Sequence, residues 1–314
     1  MITLVVPTRN RAHTLKLVTP SYYAQEGVTE IVFVSDEGSD DTPDVVDSIA
    51  RTNTSIATRF IRNESRLGAA ASRNVGVTNA TNEYILFSDD DEYLEPLYAI
   101  TCLRKLEKYG AGAVSGRNVY MLDGETPAEA VRRFGSGLRR AKPFRHLLCE
   151  PANGAVYDGD ISLPFTHSII LTKRSLLLEE PFDPHYLAGN GYREESDYQM
   201  RLFLKGLPVY VTNDVHCIHL APSLVRSGGQ RTSLWRRIYW SIRHTAYFHN
   251  KYYKRYACKV GLKTPRSVAL FAFAAYCVYR ETLRPWLHRA ALAYLRQMRQ
   301  ARNPAISAVG EPLA

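Results

Sequence analysis

Hydrophobic residues fall into two rhythms along the first two-thirds of the chain. Short apolar runs at residues 2–7, 31–35, 58–62 and 84–87 have the length of β-strands. Between them, apolar positions recur at helical spacing. Leu15, Val18 and Tyr22 share one face of a helix predicted over 14–25. Further helices are predicted over 43–52, with Pro43 in the first turn, and over 69–78. Strands separated by helix-length segments predict an α/β fold with a parallel, doubly wound sheet. A helix over 98–109 and a strand over 113–118 continue the series.

The rhythm loosens over 121–160, which is rich in Gly, Pro and basic residues: Arg132, Arg133, Arg139, Arg140, Lys142 and Arg145. This stretch reads as a mobile flap or an acceptor loop, with no structure assigned. Order returns in a strand at 168–172, a helix at 194–205 and a strand at 209–212 that leads towards His216 and His219. Beyond 226 the pattern is helical. Leu234, Ile238 and Ile242 recur four apart, with Trp235 and Tyr239 beside them. Residues 267–279 are almost all apolar, yet shorter than the roughly 20 residues that span a bilayer. They read as a buried helix or as one lying in the lipid interface.

Charge divides the chain at the same place. Residues 1–225 hold 23 Lys/Arg against 29 Asp/Glu, a balance of −6, while 226–314 hold 17 against 2, a balance of +15. Two parts are therefore expected, an α/β domain over 1–225 and a basic helical region over 226–314. In the second part Trp235, Tyr239, Trp240, Tyr247, Tyr252, Tyr253 and Tyr256 alternate with Arg and Lys. That mixture suits an anionic membrane surface better than nucleic acid. A packed appendage with a solvated basic face is the plainer alternative. Five cysteines at irregular spacing form no zinc or redox motif, and the first residues read as a strand without signal-peptide features. A cytoplasmic protein with reduced thiols, peripheral on the membrane, is expected.

The candidate chemistry sits at strand ends. The run 84–87 stops in Asp89, Asp90 and Asp91. Three adjacent carboxylates are tolerated in a solvated loop or around a hard cation such as Mg²⁺ or Mn²⁺, which is commonly shared with substrate phosphates. Three weaker signals precede them: Pro7-Thr8-Arg9-Asn10-Arg11 after the first strand, Asp36-Glu37-Gly38-Ser39 after the second, and Gly68-Ala69-Ala70-Ala71-Ser72-Arg73-Asn74-Val75-Gly76 opening a helix. Each alone is an ordinary turn, cap or small-residue packing face.

Their order carries the weight. Strand-Pro-Thr-x-Asn, strand-Asp-x-Gly-Ser, Gly-Ala-Ala-x-x-Arg-Asn-x-Gly and strand-Asp-Asp-Asp together resemble the family-2 inverting glycosyltransferases of the GT-A fold, which implies a Rossmann-like, mostly parallel sheet flanked by helices. The resemblance covers about residues 1–220 and divides the first domain. Residues 1–118 would be the nucleotide-sugar-binding half, and 119–225 the acceptor and base half. It implies that Pro7, Thr8 and Arg9 line the nucleotide, that Asp36 bonds the base, and that Arg73 lies near the nucleotide. Asp91 would bind a divalent cation and Asp89 the ribose or the metal's water shell. Asp90 is grouped with the donor-binding residues without a role of its own. Residues 191–202 resemble the family's Glu-Asp-x-Asp-Leu-x-x-Arg helix start. Glu195 stands where Asp is usual and is the first choice for general base, ahead of Glu194 and Asp197. All three equally favour a helix N-terminus through its dipole. His219 is the candidate metal ligand, with His216 as competitor, and His167 is a weaker candidate near the acceptor.

The family's processive members carry Gln-x-x-Arg-Trp and transmembrane helices. Neither is found here, so one sugar per encounter is expected. The implied activity is metal-dependent transfer of a sugar from a nucleoside-diphosphate donor to a glycan or polyprenyl-phosphate-linked acceptor. A nucleotidyltransferase on the same fold, or a non-catalytic nucleotide-sugar-binding or membrane-scaffold protein, stays open.

Overall fold

A computed structural model describes residues 1–135, 143–152, 156–225, 233–285 and 287. Arg139, Arg140 and Lys142 of the expected flap lie outside the described residues, as does most of the tail beyond 285.

The chain runs β1 (Ile2–Thr8), α1 (Ala12–Tyr23), β2 (Val28–Asp36), α2 (Thr42–Thr52), β3 (Ala57–Asn63), α3 (Gly68–Asn79), β4 (Tyr84–Phe87), β5 (Glu92–Leu94), α4 (Tyr98–Tyr109) and β6 (Ala113–Tyr120). It continues through α5 (Pro127–Gly135), β7 (Phe144–Arg145), β8 (Glu150–Pro151), β9 (Ile161–Leu163), β10 (Leu171–Lys173), α6 (Arg174–Glu179), α7 (Glu194–Leu204), β11 (Val209–His219), α8 (Leu234–Lys259) and α9 (Arg266–Val278). Every strand and helix expected before residue 120 is present. The loosely patterned stretch contains α5 and the small β7–β8 hairpin.

The main sheet has the order β3-β2-β1-β4-β10-β6-β11-β5, with β9 added alongside the first half of β11. The β3-β2-β1-β4 half is parallel. The sheet is mostly rather than wholly parallel, because β10 inserts antiparallel between β4 and β6. The strand expected over 168–172 is shorter and later than its apolar residues suggest. Ser168 and His167 use their side chains to bond Asp89 and Gly116, while the Ile170 carbonyl still accepts from the Phe87 N–H at 3.0 Å. The strand expected over 209–212 instead runs to His219. It is irregular between Val211 and His216 and then pairs with β6 and β5 through buried Cys217 and Ile218.

Strand alternation divides the core. Ile2, Leu4, Val6, Ile31 and Phe33 face Leu15, Val18 and Tyr22 of α1, Val45 and Val46 of α2, and Cys102 and Leu106 of α4. Val5, Val32, Val34, Ile85 and Phe87 face Ala70 and Val77 of α3, Leu177 of α6, and Tyr198 and Leu202 of α7. A Cβ on Gly76 would lie 2.3 Å from a Val5 methyl, so this glycine lets α3 rest on the sheet. Pro7 is tolerated in a central strand because β4 pairs with β1 only as far as Val5.

The third core joins the basic region to the α/β domain. Phe248, Tyr252, Tyr253 and Tyr256 of α8 and Ala269 of α9 pack with Phe165, Met200 and Val211. Four aromatics expected to meet lipid headgroups change place as a result. Tyr252, Tyr253 and Tyr256 are buried, and Tyr247 stacks on His185 at 3.6 Å. Their spacing fits a helix stripe, and a stripe reads the same against a membrane or a protein core. Trp235 and Tyr239 remain exposed. Helix α9 buries Ala269, Phe273 and Cys277 on one face and exposes Val268, Phe271 and Val278 on the other. Among the described residues no helix is long and apolar enough to cross a membrane.

Candidate active site

The carboxyl ends of β1, β2 and β4 converge, where ligands bind in open α/β sheets. Their loops are stitched together. Asp40 accepts from the Ala12 N–H at 2.9 Å, and Asn10 accepts from the Ser39 N–H at 2.7 Å. The Asp36 carboxylate accepts from the Leu67 N–H at 2.7 Å, the Gly68 N–H at 3.0 Å and the Asn63 amide at 3.2 Å. A carboxylate offers about four acceptor sites, so one remains for a ligand donor. Pro7 and Thr8 lie in register beside Val34 and Ser35, next to Asp36.

The three aspartates are held by a buried tyrosine. The Tyr22 hydroxyl lies 2.6 Å from the Asp89 carbonyl and 2.7 Å from the Glu92 carbonyl, which share its one hydrogen, and accepts from Ser88 (3.1 Å). Asp89 accepts from Arg73 at 2.7 Å and from Ser168 at 2.9 Å. Asp90 is buried. Burial and then the charge of Asp91 push its carboxyl up to about 7, against the pull of Arg11. Asp91 has His219 Nε2 at 3.7 Å and Arg11 Nη1 at 3.7 Å.

The cation of the first loop is therefore Arg11 rather than Arg9. Arg9 is exposed and reaches the cluster only through its backbone N–H, 3.4 Å from Asp90. Arg11 is 4% exposed, and its Nη1 has no hydrogen-bond partner. Sequence reading missed it because helix α1 begins at Ala12, which turns the preceding residue inward. A basic residue immediately before a predicted helix was the available signal.

The two histidines separate clearly. His219 Nδ1 lies 2.9 Å from the Leu220 carbonyl, which can only accept, so Nδ1 carries a proton and Nε2 is the nitrogen directed at Asp91. His216 is instead paired with Glu95 at 2.7 Å. Asp91 and His219 together offer a carboxylate oxygen and an imidazole nitrogen, a donor set that fits Mn²⁺ or Mg²⁺ sharing its other positions with phosphate and water. Among the described residues no group of three or more His, Cys, Asp or Glu could hold a metal by itself. His167 is fully used: Nε2 donates to Gly116 and Nδ1 accepts from Ile169. Burial lowers it to about 4, so it stays neutral.

The carboxylates of α7 point in different directions. Arg73, only 3% exposed, bridges Asp89 and Glu194. Burial opposes its charge, but Glu194 and then Asp89 hold the guanidinium above its ordinary value. Glu194 is thus tied to a fixed cation. Asp197 is wholly buried on the other side, accepting from Lys251 (2.8 Å), Tyr252 (2.9 Å) and Tyr186 (3.0 Å), with Arg201 at 3.2 Å. Asp197 holds α7 to α8 and does not reach the strand-end cluster. Glu195 is half-buried and makes no ion pair among the described residues. Burial and then the charge of Glu194 push its carboxyl up to about 7. That is suited to accepting a proton near neutral pH.

A model of glycosyl transferase family 2 matches residues 3–177. The chain belongs to glycosyl transferase family 2. It is 27% identical over 207 residues to a GalNAc(5)-diNAcBac-PP-undecaprenol beta-1,3-glucosyltransferase of Campylobacter jejuni, covering 64% of this chain and 63% of that one. It is 32% identical over 127 residues to the succinoglycan biosynthesis protein ExoO of Rhizobium meliloti, covering 40% of this chain and 35% of that one. These matches thus span less than two thirds of the relatives' lengths. Among solved structures, a Pyrobaculum calidifontis mannosyltransferase in complex with GDP-Man and Mn²⁺ superposes with a TM-score of 0.57 at 19% identity, over 96% of this chain and 81% of that one. S. aureus TarS in complex with UDP gives 0.55 at 14% identity, over 89% and 72%. These likenesses confirm the mostly parallel α/β architecture as the GT-A fold.

The family match includes Asp36, Arg73 and the three aspartates and ends before Glu194. Asn74, which small-residue packing left unexplained, has a structural task. Its amide exchanges two hydrogen bonds of 2.9 Å with the Phe182 backbone.

Proposed function

We propose that this chain is an inverting, non-processive glycosyltransferase. It takes a sugar from a nucleoside-diphosphate donor and gives it to a hydroxyl of a glycan or polyprenyl-phosphate-linked acceptor. The observation that carries this reading is the Asp89–Arg73–Glu194 bridge. It joins the strand-end carboxylates to the start of α7, so Asp91, His219 and Glu195 belong to one site.

Asp91 and His219 would hold Mn²⁺ or Mg²⁺, which when bound neutralises charge on a diphosphate. Asp36 and the β1 loop at Pro7 and Thr8 would seat the nucleoside. Arg73 holds Asp89 fixed beside it. Glu195 accepts the acceptor hydroxyl's proton, the acceptor oxygen bonds to the anomeric carbon, and the bond from that carbon to the diphosphate oxygen breaks. One base on the face opposite the leaving group gives inversion. A carboxyl near 7 is poised for that task, whereas one at the ordinary glutamate value would be a weaker base.

The nucleotide sugars named with the solved neighbours, UDP-GlcNAc and GDP-Man, open the panel of donors to try, with UDP, also named there, as a product-type ligand. The undecaprenol-linked substrate in the name of the C. jejuni relative supports a lipid-linked acceptor. The exposed Val268, Phe271 and Val278 of α9, with Trp235 and Tyr239 and a balance of +15 over 226–314, favour an anionic bilayer beside that acceptor. Flotation with vesicles containing anionic lipid, compared with neutral vesicles, tests this, and Phe271→Asp should weaken it.

The decisive experiment is turnover of a nucleotide-sugar panel with Mn²⁺, following the released nucleotide and the anomeric configuration of the product. Release of a nucleoside diphosphate with inversion supports the reading. Release of pyrophosphate makes the protein a nucleotidyltransferase, and binding without turnover makes it a binding protein.

A further inference from the structure

Arg193 immediately precedes Glu194 and Glu195, and it sits in an unusual environment. It is 2% exposed, although it carries a full charge. No carboxylate forms an ion pair with it among the described residues. Its guanidinium instead lies among four aromatic rings, Tyr192 at 5.0 Å, Phe273 at 5.1 Å, Phe248 at 5.2 Å and Phe165 at 5.5 Å. Nη1 donates to the Cys149 carbonyl at 2.7 Å and Nε to the Thr245 hydroxyl at 3.2 Å. Cation–π contacts of this kind gain strength as water is removed. A planar guanidinium can face several rings and still donate in its own plane, which an ammonium cannot do.

The backbone of Arg193 is equally specific. Its φ of 82° lies in the left-handed region, where a non-glycine residue stays only when its surroundings hold it. Its carbonyl accepts from the Asp197 N–H at 2.8 Å, in the first turn of α7. The residues before it dock on α8: the Ala188 carbonyl on His244 at 2.8 Å, Gly189 against Trp240, and Asn190 on Ser241 at 3.3 Å. Thr245 and Phe248 come from α8 and Phe273 from α9. Both helices lie beyond the family-matched segment.

We infer that Arg193 is a positioning residue through which α8 and α9 fix the start of α7, and with it the direction and setting of the Glu195 carboxyl. This rests on the reading of Glu195 as base. The groups whose charges interact with Glu195 include Glu194, Arg73, Asp89, Arg193 and Tyr120. The Arg193 cage determines where the first two residues of α7 stand relative to the others.

The test uses the full chain and three variants, Arg193→Lys, Phe273→Leu and Glu195→Gln, each checked for folding by circular dichroism. The Glu195 carboxyl is followed by NMR with ¹³Cδ-labelled glutamate, its resonance assigned by its loss in Glu195→Gln. Turnover is measured with whichever donor of the panel the parent uses. Arg193→Lys should move the Glu195 titration midpoint by at least half a pH unit. It should also lower kcat about tenfold, with the donor KM within twofold of the parent. Phe273→Leu should do the same to a smaller extent, and it serves alone if Arg193→Lys does not fold. Unchanged midpoint and kcat in a folded variant overturn the inference. If instead Glu195→Gln keeps parental turnover, the base assignment fails, while the midpoint shift still reports whether Arg193 positions that carboxyl.

Discussion

The two carboxylate clusters of this site are built by opposite means. Asp89, Asp90 and Asp91 sit where three strand ends meet, and local partners hold them: Tyr22 from α1, Arg11 from the β1 loop and Arg73 from α3. All lie within the segment matched by the family model. Glu194, Glu195 and Asp197 start a helix outside that segment, and distant elements set their roles. Arg73 takes Glu194, Lys251 of α8 takes Asp197, and Glu195 makes no ion pair among the described residues. The strand-end carboxylates are thus placed by the topology of the sheet and its loops, whereas the ion pairs of the α7 carboxylates are set by partners from distant elements.

The sharpest way to break this contrast is to exchange charge for isosteric amide on α7. Glu195→Gln should lower kcat by about 10²–10⁴-fold, the usual worth of a general base. It should not lower the melting temperature at pH 8, because it removes a carboxylate whose ionisation burial disfavours. Parental kcat in that variant would move the base elsewhere. In the other cluster, Asp91→Ala should cost about 10²–10³-fold, as for loss of one electrostatic contact to a leaving group, with a native fold. Chelator-insensitive residual turnover at the parental rate would rule out the metal role.

Asp197→Ala separates structure from chemistry. It removes the carboxylate shared by Lys251 and Arg201, but Lys251 keeps Asp183 at 2.7 Å, Arg201 keeps Glu180 at 2.6 Å, and the two side chains keep 28% and 17% exposure. A loss below the about 3–5 kcal/mol of a fully broken buried pair is therefore expected in denaturant titrations. Turnover per folded molecule should stay within a few-fold of the parent, and a loss as large as that of Glu195→Gln would reassign the base.

Smaller effects concern pH. The rate should rise with pH through about 7 as Glu195 loses its proton. Stability should move the other way. With Glu195 and Asp90 both raised to about 7, the native state binds more protons than the unfolded chain between their ordinary values and 7. The unfolding free energy contributed by these groups therefore falls as pH rises through that window. A Glu195→Gln variant whose melting temperature does not gain on the parent's between pH 5 and 7.5 would contradict the Glu195 assignment.

The strand-end half was legible because parallel strands bury both faces and leave short apolar runs that stop abruptly. Residues 84–87 were read with their observed bounds, and the loops after β1, β2 and β4 followed in order. What the loop sequence did not show is that the Arg11 side chain turns in towards Asp90 and Asp91 while that of Arg9 stays exposed, since this depends on where α1 begins. In the second half, strand β10 and the β7–β8 hairpin are only two or three residues long and carry no period to read. The aromatic stripe of α8 was visible, but a stripe does not say what covers it.

The sequence by itself determined the α/β order, the mostly parallel sheet and the four strand-end motifs, because hydrophobic periodicity and turn chemistry act over a few residues. Only the tertiary structure decided that His219 rather than His216 faces Asp91, that Asp197 belongs to α8, and that Arg193 lies in an aromatic cage. Those outcomes depend on partners 50 to 130 residues away, such as Lys251, Glu95 and Phe273, and on burial, which changes the charge a group can carry.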